Sequence, residues 1–135
     1  MNQNIVNELV TMMKEDQQLL QQLFDSGELP SESYHPRMKA LHEQNASRLK
    51  EIIGAHGWPG ISLVGEEAAK AAWLIAQHSV SDTDFMAECV SLLEHAVSRE
   101  DAAGWQLAFL QDRVRTLGGE LQYYGTQFDI DENGW

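Results

Sequence analysis

The chain has 135 residues, 43% of them hydrophobic, with nine Lys and Arg against twenty-one Asp and Glu, for a formal net charge of −12. That length suits one domain and leaves little room for a second core, while the hydrophobic share excludes wholesale disorder. The acidity is spread along the chain, −5 over residues 1–67 (5 basic, 10 acidic) and −7 over 68–135 (4 basic, 11 acidic). It repels phosphate backbones and so excludes direct nucleic-acid binding. An acidic surface of this kind serves solubility, or else docking onto a basic protein partner, as an inhibitor or a nucleic-acid mimic would.

The first predicted helix spans about 4–24, where Ile5, Leu9, Met12, Met13, Leu19, Leu20 and Leu23 recur near the helical period. It stops at Asp25-Ser26-Gly27, before Pro30. The second, about 36–55, starts on Pro36 and carries the stripe Met38, Leu41, Leu49, Ile52 and Ile53; Gly54 and the turn Gly57-Trp58-Pro59-Gly60 end it. The third, about 66–78, is rich in alanine, which favours helix and permits close packing, so it is expected to be the central element. Ser81 and Asp84 are read as a capping box for the fourth, which runs to about 97 with Phe85, Met86, Cys89, Val90, Leu93, Ala96 and Val97 on its apolar face. The fifth, about 102–116, carries Trp105, Ala108, Phe109, Leu110 and Val114 and is broken by Gly118-Gly119. The tail, LQYYGTQFDIDENGW, is expected to be irregular and partly extended. The predicted fold is all-α: a single-domain five-helix bundle over 1–135 with that tail.

The N-terminus MNQNIVNELV has no basic region leading into an apolar run, so no secretory leader is predicted. The longest apolar stretches fall well short of the roughly 20 residues that span a bilayer, so no membrane association is expected. The lone cysteine, Cys89, suits a reducing compartment, and the cytoplasm is the expected location.

Motifs for the commonest enzyme classes are absent: no Walker loop, G-x-G-x-x-G, H-E-x-x-H, G-x-S-x-G or paired C-x-x-C. No cofactor is implied. Cys89 sits among apolar helical neighbours and is read as core rather than nucleophile. The run DIDENG matches the first half of a calcium loop, but no Glu follows at the twelfth position, so a polar turn is expected. Of the five histidines His35, His42, His56, His78 and His95, no two lie three or four apart on a helix. No local metal pair exists, none is assigned, and only a site assembled from distant elements is left open.

Two features stand out. His78 shares a helix face with Leu74, at a C-terminus where the dipole favours its protonated form; it is either a helix-capping histidine at the core edge or a site residue. Asp112 and Arg113 place opposite charges on apolar faces of the fifth helix, where a buried charge must be paired or hydrogen-bonded. They form either a structural ion-pair network or the lining of a pocket.

Four motifs in order, GWPG (57–60), AAWLIAQH (71–78), LAFLQDRV (107–114) and QYYGTQF (122–128), resemble an uncharacterised bacterial domain family with a GWP…QH…AYL-DR…YGTQ signature, over about 36–128. The resemblance carries no activity with it. It singles out Trp58, Pro59, Gln77, His78, Asp112, Arg113, Gln122, Tyr124, Gly125, Thr126 and Gln127. The chain departs from that family at His42, where its members have an Asp. Members also continue past YGTQF with a Pro- and Arg-containing segment, so a short variant or a truncated form is expected here.

Three functions follow as expectations. One is a small helical enzyme or ligand-binding domain, with His78 as general acid/base, Asp112 orienting it and Arg113 holding an anionic group; Trp58, Gln77, Gln122, Tyr124, Thr126 and Gln127 would help bind an unknown small molecule. Another is an acidic interaction module, such as an inhibitor or immunity protein, that engages a basic protein partner. The last is a purely structural polar network. The tail is expected to fold back so that 122–127 packs beside His78 and near Asp112 and Arg113.

Overall fold

The computed structural model describes residues 1–31 and 33–119. Five helices, α1 (Gln3–Asp25), α2 (Pro36–His56), α3 (Ile61–Gln77), α4 (Thr83–Ser98) and α5 (Gly104–Leu117), take up 77% of them, with no strand among the described residues. The all-α expectation holds. The tail and its expected return to His78 lie outside the described residues, as does the DIDENG run.

Local chemistry sets the helix ends. Asn2 caps α1 by accepting from the Ile5 amide at 3.2 Å. Pro36 opens α2 behind the cap His35, whose ring accepts from the Arg37 amide. Gly57, at φ 77°, closes α2 in a conformation that favours glycine. The predicted capping box at Ser81 is corrected: the cap of α4 is Asp82, whose carboxylate accepts from the Phe85 amide at 3.1 Å. A single carboxylate one residue later satisfies the orphan amide, which leaves Ser81 no capping role.

The third helix starts five residues earlier than predicted. Gly65, at φ 80° and ψ 172°, interrupts it between a first turn, 61–64, and the alanine-rich run. Gly60 supplies no side-chain cap. Asp101, in the α4–α5 connection, does the capping instead: its carbonyl accepts from the Ile61 amide at 2.8 Å and its carboxylate from the Ser62 amide at 2.7 Å.

As expected, α3 is central: it packs against all four other helices, while α1 also meets α2 and α4 meets α5. Its buried Ala68, Ala69, Ala71, Ala72 and Ala76 allow that approach. Leu9, Leu49, Leu93 and Leu110 fill the core around it with no exposure, each contributing about 2 kcal/mol. Trp105, assigned to an apolar face, is 46% exposed and lies edge-on over Trp73 at 4.8 Å. It covers the core rather than joining it. A smaller cluster of Leu23, Leu29 and Met38, with Tyr34 against it, ties the α1–α2 connection to both helices.

No helix among the described residues is long and apolar enough to cross a membrane.

Candidate functional site

Three helices converge on one buried carboxylate. Asp16 interrupts the apolar stripe of α1, one turn beyond Met12, and is 1% exposed. His42 holds the matching position in α2, one turn beyond Met38, and is 4% exposed. His78 is the C-cap of α3, its amide bonded to the Leu74 carbonyl. Nδ1 of His78 lies 2.8 Å from Oδ2 of Asp16, and Nε2 of His42 stands 3.2 Å from the same oxygen. The two imidazoles are tilted by 40° with centroids 4.7 Å apart. On the far side, the Tyr34 hydroxyl is hydrogen-bonded to Nδ1 of His42.

The electrostatics follow from burial and these partners. Burial pushes the Asp16 carboxyl up, but the hydrogen bonds and charges of His42 and His78 outweigh it and hold the group well below the usual carboxylate range. Burial pushes His78 below its ordinary value; the Asp16 hydrogen bond and charge pull back, and the charges of His42 and Arg113 push down again. The Tyr34 hydroxyl is held above its ordinary value by burial and by the Asp16 and Glu43 charges. At neutral pH the cluster therefore holds an ionised carboxylate against a weakly basic imidazole.

His42 and His78 line a pocket of about 230 Å³, with Ser47, Lys50, Ser79 and Asp82 on its other walls. Lys50 and Asp82 are ion-paired at its rim. A wider groove of about 540 Å³ between α1 and α2 is lined by Glu8, Glu15 and Arg48, without an imidazole.

His78 thus stands at a pocket wall, while the other expected site residues are distributed differently. The carboxylate on its Nδ1 is Asp16, because α1 packs along α3 and carries Asp16 to the helix end. Asp112 and Arg113 are both buried on α5. Arg113, its basicity pushed down to about 10 by burial, lies near enough for its charge to act on both His78 and Tyr34. Gln77 turns to α5, where its amide nitrogen meets the Phe109 carbonyl at 3.4 Å. Trp58 belongs to the main apolar core. Gln122, Tyr124, Thr126 and Gln127 lie outside the described residues.

The family model that matches spans residues 3–134, nearly the whole chain. The chain belongs to DUF6624, a family of unknown function. No curated protein and no solved structure matches. The DUF6624 match reaches well before 36–128, so it takes in Asp16, which the four motifs leave out. Asp16 and His42 are the site residues that sequence reasoning missed. A signal existed for each, since both are polar groups on the apolar stripe of their helix.

Proposed function

We propose that this chain binds and transforms a small polar molecule at the Asp16–His42–His78 cluster, as a small helical enzyme or ligand-binding domain of the bacterial cytoplasm. One observation carries the proposal: two imidazoles share a single buried carboxylate at the wall of a pocket of about 230 Å³. Burying ionisable groups disfavours folding unless they are paired, and convergent perturbed groups beside a cavity mark functional sites more often than chance. In this reading Asp16 orients His78, which exchanges protons with the ligand, and Arg113 lends positive potential for an anionic group. The pocket suits a metabolite-sized molecule rather than a polymer.

The test is a fragment and metabolite screen by thermal shift on the full chain. Binders should lose their shift in His78→Gln and in Ser47→Trp, which blocks the pocket. Binders that ignore both variants, or no binder at all, would remove the proposal.

The second function, an acidic module docking on a basic protein, is favoured by the net charge of −12 spread over both halves. Salt-sensitive capture of a basic protein that survives both variants would favour it.

A further inference from the structure

We propose that Asp16, His42 and His78 form a binding site for one divalent transition-metal ion of the zinc class. The inference rests on reading this cluster as a functional site and names what the cluster holds.

Donor geometry comes first. Each of the three residues offers one ligand atom, and these atoms all lie within 4.8 Å of one another. Two of the separations are 2.8 and 3.2 Å. Donors on a tetrahedral zinc ion at about 2 Å are about 3.3 Å apart, so the two separations from Asp16 are near the zinc spacing, and the two imidazole nitrogens, within 4.8 Å of each other, close on the ion as it binds. It would take the place of the proton that Nδ1 of His78 shares with Asp16; each neutral imidazole then keeps its one proton on the nitrogen turned away from the ion, Nε2 of His78 and Nδ1 of His42, the latter facing the Tyr34 oxygen.

Three independent features point the same way. Oδ1 of Asp16, on a side chain 1% exposed, has no hydrogen-bond partner among the described residues. A buried carboxylate with an unpartnered oxygen is costly, and a cation bound to the group lowers that cost by neutralising its charge. The Tyr34 hydroxyl holds Nδ1 of His42, which leaves Nε2 as the nitrogen directed to Asp16; metal-bound histidines are regularly steadied through their second nitrogen in this way. Both histidines line the pocket, as ligands of a catalytic zinc ion with an open coordination position do. Two imidazoles and one carboxylate select zinc, iron, cobalt or nickel over magnesium and calcium, which prefer all-oxygen shells.

The experiment uses the full chain stripped with a chelator, titrated with zinc by calorimetry and with cobalt by visible d–d absorption. We expect one zinc per chain, a cobalt spectrum of low-coordinate character, and no competition from millimolar magnesium. Zinc affinity should fall at least about tenfold in Asp16→Asn and in His78→Gln. It should also fall about tenfold in Tyr34→Phe, which keeps all three ligands and perturbs only the residue steadying His42. His56→Gln and His95→Gln, at exposed histidines, should leave it unchanged. Helicity is checked by circular dichroism, and if Asp16→Asn does not fold, the His78 and Tyr34 variants decide. No uptake, uptake indifferent to those variants, or uptake lost in His56→Gln or His95→Gln would overturn the assignment. Small-molecule binding without zinc uptake would leave the proposed function standing and remove the metal. Zinc uptake without small-molecule binding would do the reverse.

Discussion

Nδ1 of His78 lies 2.8 Å from Oδ2 of Asp16, although 62 positions separate the two residues in the chain. This contact joins the C-terminal end of the central helix to the middle of α1, and it places an ionised group in the buried interior. Its consequences for stability can be measured without knowing any ligand.

Asp16→Ala removes a buried carboxylate that is hydrogen-bonded to His78 and within ion-pair distance of His42, and hydrogen bonds to charged groups contribute about 1.5–3 kcal/mol. We expect a loss of about 3 kcal/mol in urea unfolding at neutral pH. A loss below about 0.5 kcal/mol would show that the carboxylate does not anchor α1 to α2 and α3.

Gly60 is where the chain leaves no room. A Cβ there would stand 2.8 Å from the Asp101 carbonyl oxygen, the same atom that accepts from the Ile61 amide. Gly60→Ala must push away the residue that caps α3, and should cost about 1–3 kcal/mol. Gly54→Ala, which meets nothing within 4 Å, is the control and should be neutral or slightly stabilising. Equal effects at the two positions would refute the steric account.

Asp82 supplies a pH prediction. The Lys50 hydrogen bond, then the Phe85 amide, hold its carboxyl below the ordinary value. A depressed carboxyl stabilises the fold above its unfolded pKa of about 3.9, and that contribution is lost as pH falls through the lower folded value. Asp82→Asn keeps an effective cap but has nothing to titrate. Its stability should therefore fall less steeply than wild type below about pH 4, while Asp82→Ala should lose about 1 kcal/mol at neutral pH. The side chain is partly exposed, so solvent screening keeps the acid effect small. Parallel stability curves for wild type and Asp82→Asn in acid would contradict the assignment.

Cys89 has no exposure, and burial pushes its thiol up to about 12. The thiolate is the reactive form, so native protein should react with a thiol reagent at neutral pH at least about a hundredfold more slowly than urea-unfolded protein. Fast labelling in the folded state would place Cys89 at an accessible site rather than in the core.

Much of the fold was legible. The 3.6-residue recurrence of apolar positions located five helices, and the alanine run marked α3 as the element that packs against all others. The ends were less legible where a cap came from afar: α3 is capped by Asp101, some forty residues downstream, so no local signature announced its start. His78 was visible because it sits among apolar neighbours at a helix end. Asp16 and His42 were equally visible in principle, as polar breaks in the stripes Leu9-Met12-Asp16-Leu23 and Met38-His42-Asn45-Leu49. They attract little notice singly, because an occasional polar residue on an apolar stripe is ordinary.

By itself the sequence determined what depends on short-range periodicity and on totals: five helices over the described residues, a net charge of −12 and a buried thiol. Only the tertiary structure decided which polar residues meet. A helix face specifies that a side chain points inward, but not what it finds there. Partner choice depends on how α1, α2 and α3 are aligned along one another, and that alignment comes from interdigitating apolar side chains across whole interfaces. Once those interfaces close, Asp16, His42 and His78 arrive at one point.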